Sequence, residues 1–425
     1  MIDRLKKLSP QFKKILKVSS ALADSLGCNI YLIGGVVRDL ILRKTVFDLD
    51  IVVENNAIVF TEKLANQLGV KFDRHHRFGT ATLYFDGHKI DFATARTEKY
   101  THWGALPKVR SSSLSKDLFR RDFSINAMAI SLNKADYGVL IDLYNGLDDL
   151  KKGLIRILHA KSFQDDPTRI LRAIRFEQRF SFKIDPKTLE LMKEALRTQA
   201  LELVGPHRLR DEIILTLKEP KPCRYIRRIK KLSGFSFLDK GIKINEESLR
   251  LFFRIEKACC YYKKRFQKRK EPETWLLYLA ALLIKLPSSK LNKFFHEFGF
   301  RKKERAVIYS IRGNITKIKK LNKQTKASAI YRALKPYSFE SILFFHAYHQ
   351  NKKVRKNIEY FLDELADISL EIKGRDLMRM GLEPYSLYSK VLLQTLYSKI
   401  DKKLKGKRKE IEEAKRIFKC YNKNV

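Results

Sequence analysis

Two acidic residues in the segment FDLDIVV are spaced to bind a metal ion. Asp48 and Asp50 lie two residues apart, and in a β-strand this spacing directs both carboxylates to the same face. Neighbouring carboxylates repel each other unless a cation joins them. Hard oxygen ligands without His or Cys favour Mg²⁺, with Mn²⁺ as the alternative, and Mg²⁺ is typically shared with substrate phosphates. The competing interpretation is a solvated strand face, because so short a motif has little specificity.

A glycine turn and an arginine lie upstream of these acids, in the segment IGGVVRD. Gly34 and Gly35 follow an apolar run that predicts a short buried strand, and the residues after them predict a helix. Two glycines there let the backbone approach a triphosphate at the helix N-terminus, and Arg38 can add a charge-assisted contact. A plain strand-to-helix turn would also use two glycines. Glycine turn, arginine and paired acids within seventeen residues together indicate a nucleotide site with a metal.

A third candidate carboxylate is Asp91, in the segment HKIDFAT. The longer segment TATLYFDGHKIDFAT predicts a β-hairpin that turns at Asp86 and Gly87. We predict that Asp91 contributes to catalysis from a strand next to the paired acids. The alternative is an acid on the protein surface.

The segment RRDFSINAMA contains four further polar candidates. Together with the residues before it, the segment has a helical pattern, which would put Asp122 and Asn126 on one helix face. Arg120 and Arg121 precede them, and the four side chains could hold a ribose and phosphates. The alternative, a polar helix start whose apolar residues face the core, gives the two adjacent arginines no purpose.

The segment DDPTRILRAIRF predicts a helix with an arginine face. Asp166 fits an N-cap, and Pro167 fits the first helical turn. Arg169, Arg172 and Arg175 recur every three residues, so each falls about 60° short of a full turn and the three fan across one side. Capping explains the acid and the proline but not the arginines, whose spacing indicates a binding face.

The acid and the first arginine of this segment can read a base. Asp166 and Arg169 can present a hydrogen-bond acceptor beside a donor fork. Adenine and cytosine share an exocyclic amine next to an unprotonated ring nitrogen, which matches this pair. Guanine and uracil carry a carbonyl and a ring N–H there, a mismatch that costs on the order of a few kcal/mol. We therefore predict selection of ATP and CTP without a nucleic-acid template.

The composition favours a polyanionic partner. The chain of 425 residues has 88 Lys and Arg against 47 Asp and Glu, a formal net charge of +41, although a lysine-rich solvated surface is the alternative. The five cysteines lack metal-site spacing, the longest apolar run is too short to cross a bilayer, and the N-terminal segment lacks the apolar core of a signal peptide. We therefore expect a cytoplasmic protein with reduced thiols and no membrane partner.

The pattern of apolar residues divides the chain into two parts. The first 150 residues mix strand and helix signals, whereas from about residue 162 apolar residues recur at helical spacing. Breaks that contain proline, at 219–222, 271–274 and 335–338, suggest boundaries between helical subdomains. The sequence thus predicts a small α/β head followed by a long, basic, all-helical remainder.

Four segments, GGVVRD, FDLD, RRDFSINAMA and DDPTRILRAIRF, resemble in order and spacing the motifs of the class II tRNA nucleotidyltransferases and bacterial poly(A) polymerases. The match is close over about residues 30–180. A weaker match occurs in the segment IKGRDLMRMGLEP, where Tyr385 replaces the glycine that usually follows the proline. The resemblance implies an α+β fold. A polymerase-β-like nucleotidyltransferase head, a small mixed sheet with helices, would precede all-α neck, body and tail domains that grip the acceptor and TΨC arm of tRNA. The implied domains are the head 1–155, the neck 156–218, the body 219–335 and the tail 336–425.

The resemblance also implies roles for individual residues. Asp48 and Asp50 match the family's metal carboxylates, which would hold two Mg²⁺ ions. Gly35, Arg38 and either Arg120 or Arg121 match nucleotide contacts, and Asp166, Arg169, Arg172 and Arg175 match the residues that select the base and hold the triphosphate. The implied reaction is in-line attack of an RNA 3′-hydroxyl on the α-phosphate, with metal ions that lower the pKa of the hydroxyl and neutralise the leaving diphosphate.

Within this family the chain best matches an A-adding enzyme, which uses ATP to complete a tRNA that ends in CC and acts after a separate CC-adding enzyme. The long connection ARTEKYTHWGALPKVRSSSLSKD lies where CC-adding members lack a flexible loop, so CC addition alone is disfavoured. A full CCA-adding enzyme, which would also use CTP, and a poly(A) polymerase are the alternatives. A basic RNA-binding protein with an inactive head is disfavoured because the acids and arginines named above are intact.

Overall fold

A computed structural model of the chain describes residues 1–269 and 271–422. Contacts divide the chain into two compact units. The first comprises residues 1–220 and 224–240, and the second comprises residues 221–223 and the chain from Gly241 onward. The four segments with candidate chemistry all belong to the first unit, which is therefore the unit that positions the candidate site.

The first unit mixes strands and helices. Its strands are β1 Ile30–Ile33, β2 Leu49–Val53, β3 Phe72–His75, β4 Thr80–Phe85, β5 His88–Thr94, β6 Arg96–Lys99, β7 Lys108–Ser111, β8 Met128–Ser131, β9 Leu140–Asp142, β10 Leu154–Ile155 and β11 Lys183–Ile184. Its helices are α1 Ile2–Leu5, α2 Pro10–Ser25, α3 Gly35–Ile41, α4 Ala57–Leu68, α5 Leu114–Phe119, α6 Gly146–Lys152, α7 Ser162–Asp165, α8 Thr168–Phe180, α9 Pro186–Arg197 and α10 Pro206–Lys218, and most of α11 Pro222–Leu232 also belongs to it.

Seven strands form one mixed sheet in the order β3-β4-β5-β2-β1-β8-β9. In this sheet β2 and β5 run parallel, and the other neighbouring strands are antiparallel. The predicted hairpin joins β4 to β5, and Asp86 and Gly87 both have positive φ angles, 48° and 78°, as a two-residue type I′ turn requires. The small mixed sheet with helices confirms the α+β class expected for the head.

The predicted strand, glycine turn and helix before the acids are confirmed. Every residue of β1 is buried, and α3 begins at Gly35 soon after the strand ends. Gly34 lies between them with φ 72° and ψ −126°, a conformation that residues with a Cβ atom rarely adopt. The glycine therefore makes the sharp turn from sheet to helix.

The helix predicted across RRDFSINAMA is wrong. α5 ends at Phe119, a 3₁₀ turn covers Ser124–Asn126, and the chain then enters β8. All four residues of β8 are buried, and the strand pairs with β1 on one side and β9 on the other. Hydrogen bonds and burial supplied by these neighbouring strands outweigh a local preference for helix.

The described part of the second unit is helical, as the spacing of apolar residues predicted. Its helices are α12 Glu246–Arg265, α13 Trp275–Leu283, α14 Ser288–Glu297, α15 Lys302–Ile318, α16 Ala327–Leu334, α17 Phe339–Tyr348, α18 Lys352–Tyr360, α19 Gly374–Arg379, α20 Tyr388–Lys402 and α21 Lys407–Asn422, with a π-helical turn at Phe361–Leu365. α13 contains nine residues of the longest apolar run, WLLYLAALLI at 275–284, and all nine are buried. No helix within residues 1–269 and 271–422 combines the length and the apolar character that crossing a membrane requires.

Candidate active site

The candidate carboxylates lie at the start of β2 and in the middle of its parallel neighbour β5. Asp48 immediately precedes β2, Asp50 is the second residue of β2, and Asp91 stands opposite Asp50 on β5. The carboxylate of Asp91 accepts a hydrogen bond of 2.6 Å from the hydroxyl of Thr82 on β4. Partial desolvation raises the pKa of Asp50, and the charges of Asp91 and Asp48 raise it further against the opposing effect of Arg121. The structure therefore brings the three predicted acids together.

These acids suit a magnesium site that a substrate completes. They offer carboxylate oxygens and no nitrogen or sulfur ligand, which is the donor set that Mg²⁺ prefers. Within residues 1–269 and 271–422, no three His, Cys, Asp or Glu side chains are grouped as the ligands of a metal enclosed by protein alone. Mg²⁺ in nucleotide enzymes is commonly held by one or two carboxylates together with substrate phosphates and water. The raised pKa of Asp50 indicates that a nearby cation would stabilise its ionised form.

Arg121 reaches toward these acids through space left by a glycine. A Cβ atom on Gly34 would lie 2.7 Å from Nη1 of Arg121, so a side chain there would displace the guanidinium. Asp117, which is fully buried, accepts hydrogen bonds from Nη2 of Arg121 at 3.0 Å and from Nη2 of Arg120 at 2.7 Å. Burial alone would raise the pKa of Asp117, but the two arginines lower it. Asp117 thus anchors both arginines, and Arg121 is the one whose charge acts on Asp50.

A chain of hydrogen bonds connects Arg38 to Arg172. Nη1 of Arg38 donates to Oδ1 of Asn126 at 2.5 Å, and Nδ2 of Asn126 donates to Oδ1 of Asp122 at 3.0 Å. Nε and Nη2 of Arg172 donate to Oδ2 of Asp122 at 2.9 and 2.6 Å. Burial alone would raise the pKa of Asp122, but Arg172 and Asn126 lower it to about 2. Asp122 and Asn126 therefore meet, although through a 3₁₀ turn and not on the predicted helix face.

Arg38 lies in the interior of the unit. Its guanidinium stacks over the rings of Phe176 and Phe180 on α8, at 5.4 and 4.8 Å from their centroids, and only 5% of the residue is exposed. Nε and Nη2 donate to the carboxylate of Asp39 at 3.0 Å. Burial lowers the pKa of Arg38, against the effect of Asp39. The structure gives Arg38 a packing role between α3 and α8, and its direct contact with a nucleotide stays a prediction.

Two hydrogen bonds and one ion pair hold Asp166 through a single oxygen. Its Oδ1 accepts from the backbone N–H and the hydroxyl of Thr168, the first residue of α8, at 3.0 and 2.6 Å, whereas the residue in the N-cap position of α8 is Pro167. Nη2 of Arg208 on α10 lies 2.7 Å from the same oxygen, and Nη1 of Arg208 donates to the backbone carbonyl of Gly104. Among the residues that the structure describes, Oδ2 of Asp166 has no hydrogen-bond partner. That second oxygen is free to accept from a ligand.

Asp166 and five arginines line a cavity of about 300 Å³, hereafter the arginine cavity. Its lining residues are Glu98, Tyr100, Pro107, Arg120, Arg121, Asp122, Asp166, Arg169, Arg172 and Arg208. Six of the predicted nucleotide-binding residues are thus brought to one place. In this cavity Nη1 of Arg169 donates to the hydroxyl of Ser162 at 2.9 Å, and its Nη2 donates to the backbone carbonyl of Arg120 at 2.6 Å.

The arginine face predicted for α8 is divided between the cavity and the interior. Arg169 and Arg172 line the arginine cavity, but Arg175 is not among its lining residues. Arg175 is 6% exposed, and its Nη2 donates to Glu212 on α10 at 3.0 Å. Glu212 also lies 3.4 Å from Nη1 of Arg172, so one carboxylate holds two arginines of the helix. The expected phosphate contact of Arg175 stays a prediction, and the structure shows it as an interior ion pair.

Sequence reasoning missed several residues around the cavity. Glu98 accepts from Arg96 and Arg120 and is nearly buried, and Arg208 contacts Asp166 across more than forty residues of chain. No spacing rule connects these residues to the four motifs, because their contacts come from separate elements. Only the helical pattern of residues 206–218 offered a signal, since it placed Arg208 in the first turn of a helix.

Comparison with known proteins extends these observations. Residues 30–156 match the family model described as the poly A polymerase head domain. The chain is 34% identical over 410 residues to the A-adding tRNA nucleotidyltransferase of Halalkalibacterium halodurans, with 95% of this chain and 92% of that protein covered. It is 33% identical over 400 residues to the A-adding tRNA nucleotidyltransferase of Geobacter sulfurreducens, with 91% of this chain and 45% of that protein covered. The chain thus spans less than half the length of the Geobacter relative.

Solved structures agree with the sequence comparisons. A structure described as the Thermotoga maritima CCA-adding enzyme complexed with tRNA-CCA has a TM-score of 0.76 and 32% identity, and the match covers 97% of both chains. An apo form of a CCA-adding enzyme has a TM-score of 0.78 and 32% identity, with 96% of both chains covered. The resemblance drawn from the four motifs is confirmed, and so is the α+β fold. The chain belongs to the class II tRNA nucleotidyltransferase family.

Proposed function

We propose that the chain adds the terminal adenosine of tRNA, so that ATP and a tRNA ending in CC give a tRNA ending in CCA and diphosphate. The observation that carries this proposal is the arginine cavity beside the three acids. Arg121 links the two, because it lines the cavity and its charge acts on Asp50. The choice of ATP is supported by the A-adding relatives, above all by the Halalkalibacterium protein, which the chain matches over nearly its whole length.

In the proposed reaction the RNA 3′-hydroxyl attacks the α-phosphate of ATP in line with the leaving diphosphate. A bond forms between the 3′ oxygen and the α-phosphorus, the bond from that phosphorus to the β-phosphate oxygen breaks, and the hydroxyl proton passes to Asp91 or to water. Asp48 and Asp50 would hold two Mg²⁺ ions, which would supply charge to lower the pKa of the hydroxyl and to neutralise the diphosphate. The hydroxyl of Thr82 donates to Asp91 and orients its carboxylate to accept the proton.

The remaining residues of the proposed site bind the nucleotide. Gly34 and Gly35 let the backbone approach the triphosphate, and the fixed charges of Arg121 and Arg172 face the phosphates. The other members of the nucleotide-binding set are Arg38, Arg120, Asp122, Asn126, Asp166, Arg169 and Arg175. Within that set, Asp122 and Asn126 act by holding Arg172 in place, since they form the chain of hydrogen bonds that ends on it.

Base selection is assigned to Asp166 and Arg169. Oδ2 of Asp166 accepts from the exocyclic amine of adenine or cytosine, and Arg169 donates to the ring nitrogen beside it after leaving one of its two present acceptors. Guanine or uracil would leave both side chains facing like groups, at a cost on the order of a few kcal/mol. This pair rejects two bases of four and does not separate adenine from cytosine.

A full CCA-adding enzyme is the second candidate. It is favoured by the solved structures described as CCA-adding enzymes, which match this chain at 32% identity over nearly its whole length. CTP would then be a second substrate. Polyadenylation and RNA binding by an inactive head rank below both.

One experiment separates these functions. The protein is incubated with Mg²⁺ and tRNA that ends before CCA, after C or after CC, with ATP and CTP given singly and together. Adenylation confined to the CC-ended tRNA supports the proposal, and CTP incorporation on the shorter ends would assign full CCA addition. Long heterogeneous tails on any RNA would indicate polyadenylation. RNA binding without incorporation would indicate an inactive head.

We extend the proposal to domains and partners. The head covers residues 1–155, the neck 156–218, the body 219–335 and the tail 336–425, with the acceptor and TΨC arm of tRNA held by the helical domains. The head boundary is supported by the family model that ends at residue 156. Action in the cytoplasm, after a separate CC-adding enzyme has supplied the CC end, completes the proposal.

A further inference from the structure

A second cavity lies at the other end of the strands that carry the acids. This hairpin cavity, about 470 Å³, is lined by Asn55, Asn56, Ile58, His76, Arg77, Phe78, Gly79, Thr94, Arg96, Val109, Arg110 and Ser111. Asp50 near the start of β2 pairs with Asp91 in the middle of β5, whereas Val53 and Thr94 pair at the ends of these strands, beside the hairpin cavity. Three residues of strand, about 10 Å, separate the two places. The hairpin cavity is also distinct from the arginine cavity, because the two share no lining residue.

The hairpin cavity is strongly positive. Three arginines and one histidine line it, and no Asp or Glu is among its lining residues. Arg96 is paired with Glu98, whose Oε1 lies 3.1 Å from its Nη2. Arg77 and Arg110 are exposed, and neither forms an ion pair with any residue in the described ranges 1–269 and 271–422. Two uncompensated charges therefore border one cavity.

The remaining polar groups favour a polyanion over a small ligand. At the start of α4 the backbone N–H groups of Ile58 and Val59 donate to the side chain of Asn56, and that of Ala57 donates to the hydroxyl of Thr94. The donors that are left to bind a ligand are therefore exposed side chains. A small molecule is usually bound in a site that buries most of its surface, which exposed side chains do not provide. A phosphodiester backbone meets several exposed cations at once and releases its counterions, so exposed arginines suffice to bind it.

We propose that the hairpin cavity binds the phosphate backbone of RNA through Arg77 and Arg110. This proposal deepens the proposed function and rests on it for the identity of the RNA, which is taken to be tRNA. Because the cavity lies away from the acids, it adds affinity for RNA and takes no part in the transfer step. Loss of the two charges raises Kd and KM for tRNA and leaves kcat unchanged.

The test measures how binding of tRNA depends on salt, without nucleotide, so that no transfer occurs. The double variant R77Q/R110Q is compared with R77K/R110K, which keeps both charges, and with R74Q, which removes a neighbouring arginine that is already paired with Glu62. Each lost phosphate contact makes the plot of log K against log salt concentration shallower by about 0.7 to 0.9. We expect a change of about 1.5 for R77Q/R110Q, and little change for R77K/R110K or R74Q.

Several results would overturn the proposal. One is an unchanged slope for R77Q/R110Q, and another is an equal change for R74Q, because a general loss of charge would then explain both. A third arm uses inorganic triphosphate as competitor. If R77Q/R110Q no longer binds triphosphate but keeps the wild-type slope of log K against log salt concentration for tRNA, the cavity holds a small anion and the proposal fails. If the variants change the salt dependence of tRNA binding as expected but the wild-type protein transfers no nucleotide, the proposed function fails and this inference stands.

Discussion

The substitution Asp122→Asn tests the chain of hydrogen bonds that ends on Arg172. The side chain of Asp122 is 10% exposed, and although burial opposes ionisation, Arg172 and Asn126 lower its pKa from the ordinary value of 3.8 to about 2. One pKa unit corresponds to about 1.4 kcal/mol, so the ionised carboxylate adds about 2 to 3 kcal/mol to the free energy of unfolding at pH 7. The amide would also turn an N–H₂ group toward Arg172. We expect Asp122→Asn to lower the free energy of unfolding by about 2 to 3 kcal/mol.

The pH dependence of this loss identifies its cause. The folded pKa of Asp122 lies below the unfolded value, so its contribution to stability is complete above about pH 4 and is lost as the pH falls through about 2. At pH 3 about half of the contribution remains. The difference in unfolding free energy between the wild-type protein and Asp122→Asn should therefore shrink by about half between pH 7 and pH 3.

Urea denaturation followed by tryptophan fluorescence measures the effect. Trp103 belongs to the unit that contains Asp122, so both proteins carry Trp275→Phe and the signal reports that unit alone. Asp211→Asn is the matched control, because Asp211 is 61% exposed and pairs with its neighbour, and it should change stability by less than about 0.5 kcal/mol. Equal stability of Asp122→Asn and wild type at pH 7 would refute the reasoning, as would a loss that does not change down to pH 3.

Three further substitutions test the proposed site. Asp48→Ala should abolish transfer and leave tRNA binding nearly intact, measured by incorporation and by equilibrium binding; equal loss of both would mean that the acid is structural. Arg208→Ala removes the ion-pair partner of Asp166, so the preference for ATP over GTP, measured as a ratio of kcat/KM values, should fall about tenfold. An unchanged ratio would exclude this positioning role. Gly34→Ala would put a Cβ atom 2.7 Å from Nη1 of Arg121 and strain a backbone with φ 72°. The rate of transfer should therefore fall at least tenfold, and the free energy of unfolding should fall by about 1 to 3 kcal/mol. A wild-type rate of transfer would show that the close contact is unimportant.

Local signals predicted much of the head. The turn at Asp86 and Gly87 was predictable because both residues tolerate positive φ and lie between alternating apolar residues. The run before Gly34 was predictable as a strand because a short apolar run before a glycine suits a buried strand. The strand in the segment from Arg120 to Ser131 was not predictable from local signals, because it is stabilised by pairing with β1 and β9. The residues of β1 are distant in the sequence, and those of β9 follow the segment.

The candidate site shows the same division. Spacing predicted Asp48 and Asp50 on one strand, since a strand has a repeat of two, and the structure places Asp50 in β2 and Asp48 one residue before it. The hairpin pattern predicted Asp91 on the neighbouring strand, where it pairs with Asp50. Spacing also predicted the arginine fan of α8. It could not show which arginines face a cavity, because Glu212 is 37 residues from Arg175 and its position depends on how α10 packs on α8.

The sequence by itself determined the family in which these four segments occur together, and it supplied the candidate acids and arginines, including the acid proposed to accept from a base. Their types and spacing are properties of short stretches of chain. Only the tertiary structure decided which of those groups are free to act. It buried Arg38 and Arg175 in interior contacts, left one oxygen of Asp166 open and aimed Arg121 at the acids. The physical reason is that burial and ion pairing depend on partners brought from distant segments, and no local pattern specifies those partners.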